Sequence, residues 1–410
     1  MTSKTLWKKW SHEEIKKRVF SAIDQNINYT EMTVLGVPAS YLDQDVFPLY
    51  NNPLLKDAPY MSTLIKNPNH IGCHTLGDSE SFFRGTQQIE KEVIEICAVD
   101  ILHAEAGSID GYVASGGTEA NLQAIWIYRN LFIQEFAASN SEIAILCSED
   151  SHYSMDKASN LLNIPIYKVD VDEDSRLPID IDQTIAKAKE NGVKHFITIV
   201  NMMTTMFGSV DRVSDYISAL KMAEVSYKIH VDGAFGGFYF PFAVEDNAMH
   251  FGNPEISSVT LDAHKMAQAP YGTGIFLARK GLISYANTKE ASYVVGEDYT
   301  LIGSRSGANA VAIWMILVTH GPFGWREKIY ILQKRAEWLC NELSKLDVRF
   351  YRHFGSNIIT IRASSIPEKI SSELGLVPDN HLNPKWYKIV LMDHVSIEKL
   401  MPLIEALKKA

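Results

Sequence analysis

The sequence predicts an α/β protein whose sheet is mostly parallel. From about Gly107 onward, short apolar runs rich in β-branched and aromatic residues alternate with longer stretches of helical periodicity. In addition, hydrophobic residues make up 46% of the 410-residue chain and charged residues 21%. This composition is typical of a globular protein and excludes collagen, coiled coil and wholesale disorder.

Six short apolar runs are predicted to be strands, at residues 143–147, 165–169, 196–200, 227–231, 257–261 and 274–278. Stretches of helical periodicity lie before and between them, at residues 118–136, 154–162, 182–190 and 213–223. Strands that alternate with helices along a chain usually form parallel sheets covered by helices on both faces.

The two ends of the chain differ from this middle part. Residues 1–60 are predicted to form an irregular arm with a basic amphipathic helix over 1–18, which packs on the protein itself or on a second subunit. Residues 61–306 then form the large domain. Residues 307–410 are predicted to form a small α+β domain, with helices at 308–319, 325–346 and 396–409 and strands at 348–351, 358–361 and 387–392.

Charge and composition also exclude several partners. With 39 Lys and Arg against 49 Asp and Glu, the net charge of −10 repels phosphate backbones, so nucleic acid is not an expected partner. The longest apolar run, residues 310–318, is too short to cross a membrane. The four cysteines are scattered, and no apolar segment of a secretion signal follows the basic N-terminus, so a reducing cytoplasm is expected.

Chemistry-bearing residues follow several of the predicted strands. Ser115-Gly116-Gly117-Thr118 is a small-residue turn that opens a helix, where main-chain N–H groups and the positive helix end suit a phosphate. His152, Asp232 and the pair His264-Lys265 each come just after a predicted strand. The carboxyl ends of parallel strands are where α/β sheets bind ligands, so these side chains are candidates for one site.

Together these groups are the parts needed to hold pyridoxal phosphate: an anion cradle, a ring for stacking, a carboxylate for the pyridine nitrogen and an amine for a Schiff base. In this order they resemble the group II amino acid decarboxylases that depend on pyridoxal phosphate, nearest to the bacterial histidine decarboxylase and plant serine decarboxylase branch. Asp262-Ala263-His264-Lys265-Met266 and Gly303-Ser304-Arg305-Ser306-Gly307 are also similar to segments of archaeal tyrosine/aspartate decarboxylases. The resemblance implies the aspartate-aminotransferase fold (fold type I), with a seven-stranded sheet.

The resemblance implies a catalytic or ring-binding role for four residues. Lys265 forms the Schiff base with the cofactor. Asp232 pairs with the pyridine nitrogen and keeps it protonated, because a buried carboxylate favours the cationic ring. Ala234 packs beneath the ring, and His152 stacks on its other face and assists proton transfer.

Further cofactor contacts follow from the same resemblance. Gly117 and Thr118 bind the phosphate with the assistance of His264, and Thr205 lies near the ring hydroxyl. In relatives, Ser304 reaches the phosphate from the neighbouring subunit. The resemblance therefore implies a homodimer whose active site lies at the subunit interface.

The reaction implied is the decarboxylation of an L-amino acid to an amine and carbon dioxide, with Tyr293, or else Tyr299, as the proton donor. His74 is a candidate substrate contact, because His74-Thr75-Leu76-Gly77-Asp78 replaces the family's Asn-Asn-x-Gly-Asp. Arg362 is another, since a guanidinium binds a carboxylate through two hydrogen bonds. Neither residue identifies the amino acid, and the sequence predicts no metal site.

Two alternatives stay open at this point. Fold and cofactor do not fix which bond breaks, so an aminotransferase or a carbon–carbon lyase on the same fold fits the same residues. A non-catalytic homologue that binds pyridoxal phosphate is the second alternative. The complete set of cofactor residues favours an enzyme, because a protein without catalysis has no chemical need for them in register.

Overall fold

The computed structural model describes residues 6–29, 31–36, 42–43, 45–46, 53–66, 69–71, 81–286 and 297–409. Its strands, in chain order, are β1 (Asn69–Ile71), β2 (Ile109–Ala114), β3 (Ile143–Ser148), β4 (Ile166–Val169), β5 (His195–Asn201), β6 (Ser226–Gly233), β7 (Ile256–Asp262), β8 (Gly274–Arg279), β9 (Ser304–Ser306), β10 (Phe350–Tyr351), β11 (Ile358–Arg362), β12 (Val377–Pro378) and β13 (Trp386–Val390). Its helices are α1 (His12–Asp24), α2 (Pro59–Lys66), α3 (Arg84–Glu95), α4 (Gly117–Phe136), α5 (Ser154–Leu162), α6 (Ile181–Glu190), α7 (Val213–Met222), α8 (Phe240–Ala243), α9 (Gly307–Lys345), α10 (Glu368–Glu373) and α11 (Ile397–Leu407).

The main sheet has seven strands in the order β2-β8-β7-β6-β5-β3-β4. Strands β4, β3, β5 and β6 pair in parallel, whereas β8 pairs antiparallel with both β2 and β7. Strands β2, β3, β5 and β7 are buried along their whole length, as expected where helices cover both faces of a sheet. The predicted α/β class and seven-stranded sheet are therefore confirmed.

The chain divides into two compact units. One comprises Met1–Asn140 and His250–Trp325, and the other comprises Ser141–Met249 and Arg326–Ala410. The domain boundaries expected near residues 60 and 306 stay predictions. Within the described residues, no helix has both the length and the apolar composition needed to span a membrane.

The N-terminal helix begins later than predicted. Ser11 caps α1 and forms a reciprocal pair with Glu14, whose carboxylate accepts the Ser11 N–H at 2.8 Å, so the helix starts at His12. Residues 6–10, the described part of the chain before this cap, are not helical. There the buried indole of Trp7 donates to the Leu317 carbonyl at 2.8 Å, which shows that this segment packs on its own unit.

The C-terminal elements agree with the prediction. The helical stretch α9 is interrupted at Gly321, whose φ of 63° breaks the helical path between the two predicted helices. Strands β10, β11, β13 and β12 then form a four-stranded antiparallel sheet. One face of this sheet packs with α11 and the end of α9 through a cluster that includes Leu339, Ile359 and Leu403.

Candidate active site

The predicted phosphate turn connects β2 to α4. Gly116, the N-cap of α4, has an extended backbone and no side chain with which to cap the helix. Strand β8 starts beside this turn, because a β-carbon built on Gly274 would fall 2.6 Å from the Gly116 backbone. Only glycine therefore lets the strand approach so closely. The start of the helix at this turn suits an anion, because main-chain N–H groups and the positive helix end meet there.

The segment after β7 brings three further groups to this turn. The Asp262 carboxylate, 2% exposed, lies 3.3 Å from both Lys265 Nζ and His264 Nδ1. It also accepts a hydrogen bond from the Gly117 N–H. Burial raises the pKa of Asp262, while Lys265 and His264 oppose that rise. A β-carbon on Gly116 would lie 3.7 Å from the His264 ring, so the histidine sits against the phosphate turn.

The residues predicted to bind the ring lie in the second unit, at the carboxyl ends of its parallel strands. Asp232 closes β6, is 8% exposed, and accepts a hydrogen bond from the Ala234 N–H at 3.1 Å. His152 follows β3, and its Nδ1 lies 2.9 Å from the Ser154 hydroxyl. Thr205 follows β5 with an exposed side chain. Each residue thus takes the strand-end position that the sequence predicted.

Met203 lies between the end of β5 and Thr205. Its φ is 72°, in the left-handed region that glycine adopts without strain. A side chain here costs on the order of 1–2 kcal/mol, so the turn that leads to Thr205 contains a strained residue.

A polar network that the sequence analysis did not identify lies beneath these strand ends. Asn201, at the end of β5, faces Asp232 in the strand register. Its side-chain amide donates to Ser148, Ser151 and Asp211 at 3.1, 2.8 and 2.7 Å. Asn201 directly follows the apolar run predicted as a strand, and this position could have marked it as a site residue. Its partners, however, depend on the pairing of β5 with β3 and β6.

The remaining candidates are distributed over the chain. Ser304 is exposed on β9, and Tyr299 is buried with its carbonyl accepting a hydrogen bond from Gln123 at 2.8 Å. Arg362 lies in the second unit, where its guanidinium pairs with Glu173 at 2.8 Å and stacks over Trp386. His74 and Tyr293 lie outside the described residues.

Comparisons with known proteins agree with this set of groups. A family model described as the pyridoxal-dependent decarboxylase conserved domain matches residues 88–355. A tryptophan decarboxylase of Clostridium sporogenes (strain ATCC 15579) is 47% identical over 407 residues, which cover 98% of this chain and 97% of that protein. The chain belongs to the pyridoxal-dependent decarboxylase family.

More distant relatives of this decarboxylase agree on the class. A histidine decarboxylase of Vibrio campbellii is 28% identical and covers 72% of this chain and 74% of its own length. The crystal structure of L-methionine decarboxylase from Streptomyces sp. 590 has a TM-score of 0.67 at 19% identity, covering 92% of this chain and 98% of that one. The predictions of a group II decarboxylase and of the aspartate-aminotransferase-like fold are confirmed.

Family membership also decides which reaction the chain performs. The family consists of pyridoxal-dependent decarboxylases and uses pyridoxal 5′-phosphate, and the relative at 47% identity is an amino acid decarboxylase. The aminotransferase, the carbon–carbon lyase and the non-catalytic homologue are therefore set aside in favour of an amino acid decarboxylase.

The residues of the decarboxylase fit this cofactor chemically. In the first unit, the start of α4 suits a phosphate, and the Lys265 amine, whose side chain is 34% exposed, is available for a covalent link to an aldehyde. In the second unit, the buried Asp232 carboxylate suits a protonated pyridine nitrogen. The small side chain of Ala234 leaves room beside it for a ring.

Proposed function

We propose that this decarboxylase converts tryptophan to tryptamine and carbon dioxide. The choice of substrate rests on one observation, the end-to-end similarity to a tryptophan decarboxylase. Because that similarity spans nearly the whole of both chains, it includes the segments from which a substrate pocket is built. Histidine, tyrosine and aspartate are the competing candidates, because more distant relatives are histidine and tyrosine/aspartate decarboxylases.

Residues of the first unit hold the reactive end and the phosphate of the cofactor in this proposal. Lys265 supplies the amine that carries the cofactor covalently. Gly117 and Thr118, at the start of α4, bind the phosphate with the assistance of His264. The position of Asp262 supports this arrangement, since its carboxylate contacts both His264 and Lys265 and so orients them.

Residues of the second unit hold the ring. Asp232 keeps the pyridine nitrogen protonated, Ala234 packs beneath the ring, His152 covers the other face, and Thr205 contacts the ring hydroxyl. When bound, pyridoxal phosphate supplies an electron-accepting ring that takes up the charge left on the substrate Cα as carbon dioxide departs. The buried Asp232 strengthens that acceptance, because an anion at low dielectric stabilises the nearby cation.

A tyrosine hydroxyl returns a proton to the substrate Cα. Tyr293 is the first choice for this donor and Tyr299 the second. Tyr293→Phe is then expected to lower kcat by about 10²–10⁴-fold without loss of the cofactor. If Tyr299→Phe lowers kcat in this way and Tyr293→Phe does not, Tyr299 is the proton donor.

Two residues are proposed to contact the amino acid itself, His74 and Arg362. Arg362 pairs with Glu173, so a substrate carboxylate would have to compete for the same guanidinium. Glu173→Gln is therefore expected to lower KM and Arg362→Gln to raise it. Unchanged KM values in both variants would remove Arg362 from the site.

We propose that the active enzyme is a homodimer in which Ser304 of one copy contacts the phosphate held by the other. In support, Ser304 is exposed on β9 and follows Leu301 and Ile302, which are 40% and 43% exposed. Lys265→Ala and Ser304→Asp each disable one side of such a shared site. An equimolar mixture of the two inactive variants, refolded together, is expected to recover about a quarter of the active sites. No recovery from a dimeric mixture would contradict the shared site.

We also propose a cytoplasmic location. Cys97, Cys147 and Cys340 are free thiols in the structure. Burial raises the pKa of Cys147 to about 12, so this thiol stays protonated and unreactive. Free thiols suit a reducing compartment. Recovery of the protein in a secreted fraction of its host would contradict this location.

The substrate is tested with purified protein loaded with pyridoxal phosphate. Each standard amino acid is supplied in turn, and amines and carbon dioxide are measured. Tryptamine is the expected product, and Lys265→Ala is expected to abolish it together with the visible absorbance of the bound cofactor. The exposed Lys280→Ala is the matched control and should retain both. Release of histamine or tyramine instead would identify histidine or tyrosine as the substrate. If no amino acid yields an amine, the proposed function is wrong.

A further inference from the structure

A buried charged cluster made of Glu90, His70 and Arg305 lies at the short ribbon formed by β1 and β9. Glu90 on α3 and His70 on β1 are each 1% exposed, and Arg305 on β9 is 8% exposed. Arg305 Nη1 donates to Glu90 Oε1, and His70 Nδ1 lies 3.0 Å from Glu90 Oε2. One carboxylate therefore holds both strands of the ribbon.

The same cluster fastens the ribbon to β2 and α3. The N–H of Val113 donates to Glu90 Oε1 at 2.8 Å, and Arg305 Nη1 donates to the Val113 carbonyl at 3.1 Å. His70 Nε2 lies 2.8 Å from the Thr86 hydroxyl. Burial lowers the pKa of His70, so the neutral ring donates from Nδ1 to Glu90 and accepts from Thr86 at Nε2. Every one of these contacts is directional.

Stability alone does not explain a charged pair in this place. Removing two charges from water is costly, and neutral replacements of similar volume are often equally or more stable. Directional hydrogen bonds do, however, select one strand register. A slip of one residue would turn every side chain of the strand to the opposite face.

The register matters because of what the ribbon carries. Ile71 pairs with Ser304, and His70 pairs with Arg305. Ser304 is the proposed phosphate contact and lies exposed on β9. The register of the ribbon therefore decides where this residue is presented.

We propose that Glu90 is a positioning residue of the decarboxylase. Its carboxylate fixes the register of β1 on β9 and so places Ser304. This inference rests on the function proposed above, which gives Ser304 its role. Glu90 acts through the ribbon and is not itself a catalytic residue.

The test uses the holoenzyme of a neutral double variant, Glu90→Gln with Arg305→Met. Its urea midpoint is compared with that of the wild type, together with the rate at which pyridoxal phosphate is lost and the values of kcat and KM. We expect an unchanged urea midpoint, a rate of cofactor loss about ten- to a hundredfold higher, and a similar fall in kcat/KM, because a small misplacement of binding groups is costly. Hydrogen exchange at residues 69–71 and 304–306 should become faster.

A second variant covers the case in which the double variant does not fold. Arg305→Lys keeps the positive charge, but its side chain is one bond shorter than that of Arg305, whose Nη1 contacts both the Glu90 carboxylate and the Val113 carbonyl. It should fold and still lose cofactor faster than the wild type. Glu92→Gln is the matched control, because Glu92 lies on the same helix and pairs instead with Arg18 at 2.6 Å. That variant should match the wild type in the rate of cofactor loss and in kcat/KM.

The outcomes separate this inference from the proposed function. The positioning role is wrong if the folded variants lose the cofactor at the wild-type rate. It is also wrong if faster cofactor loss occurs only in variants whose urea midpoint is lower. If the wild type releases no amine, the proposed function fails, but the rate of cofactor loss and hydrogen exchange still decide whether Glu90 sets the ribbon.

Discussion

Asp211 accepts two hydrogen bonds from Asn201, one from its main-chain N–H and one from its side-chain amide, each 2.7 Å long. The same amide donates to Ser151, the residue before His152. Asn201 also faces Asp232 in the strand register. One buried pair thus lies beside Asp232 in the sheet and contacts the residue that precedes His152.

Asp211 should make the protein less stable as the pH rises. Burial raises its pKa to about 7, although the hydrogen bonds from Asn201 oppose the rise. Since the folded-state pKa lies above the unfolded value near 3.9, the stabilisation is complete below about pH 4 and is lost as the pH rises through 7. We expect this group to lower the free energy of unfolding by about 4 kcal/mol between pH 4 and pH 8.

Urea unfolding of Asp211→Asn at pH 5 and pH 8 measures this contribution. The amide keeps an acceptor oxygen for Asn201 but does not ionise, so the variant should lose less stability than the wild type over that interval. Asp215→Asn, an exposed change on α7, is the control. Parallel pH dependence in Asp211→Asn and the wild type would contradict the prediction.

His230 should destabilise the protein in acid. Burial on β6 lowers its pKa to about 4, with Asp232 opposing the shift. The unfolded chain therefore binds a proton near pH 6.5 that the folded chain takes up only near pH 4, and stability falls across that window by on the order of 3 kcal/mol. His230→Gln should flatten the loss of urea midpoint between pH 7 and pH 4.5. The exposed His381→Gln should leave it as steep as in the wild type, and equal slopes in all three proteins would refute the assignment.

Gly307 leaves no room for a side chain. A β-carbon there would lie 2.6 Å from His70 Nε2 and 2.9 Å from the Thr86 hydroxyl. Gly307→Ala should therefore lower the free energy of unfolding by about 1–3 kcal/mol. Gly324→Ala is the matched control in α9, since the nearest atom to its β-carbon is 3.8 Å away. That change should stabilise the helix by roughly 0.5–1 kcal/mol, and a thermal scan that ranks the two variants the other way would disprove the steric argument.

Gly274 should matter for cofactor binding. A side chain at this position would push the Gly116 backbone away from β8, because the two would lie only 2.6 Å apart. Gly274→Ala should then weaken the binding of pyridoxal phosphate by about tenfold or more, as the N–H groups of the phosphate turn move out of place. Absorbance during dialysis of the holoenzyme measures the loss. Retention of the cofactor at the wild-type rate would show that the turn tolerates the shift.

Much of the fold follows from local pattern. The periodicity of residues 154–162 and the β-branched runs at 143–147 and 196–200 specify the helices and strands that the structure contains. Strand β2 is not predicted from such patterns, because Asp110 and Gly111 interrupt its apolar run. Asp110 accepts the Gly281 N–H at 3.1 Å, and Gly111 lets the Phe276 carbonyl approach. Both residues fit a buried strand only once β8 lies beside it.

By itself, the sequence determined which side chains can carry the chemistry, because residue type and position after a strand are local properties. Lys265, Asp232 and the Gly116-Gly117 turn belong to this class. The tertiary structure alone decided which groups share a buried environment. Arg305 meets Glu90 across 215 positions of chain, and burial moves the pKa of Asp211 and His230 in opposite directions. Such partners and shifts depend on chain topology and desolvation, which no local pattern encodes.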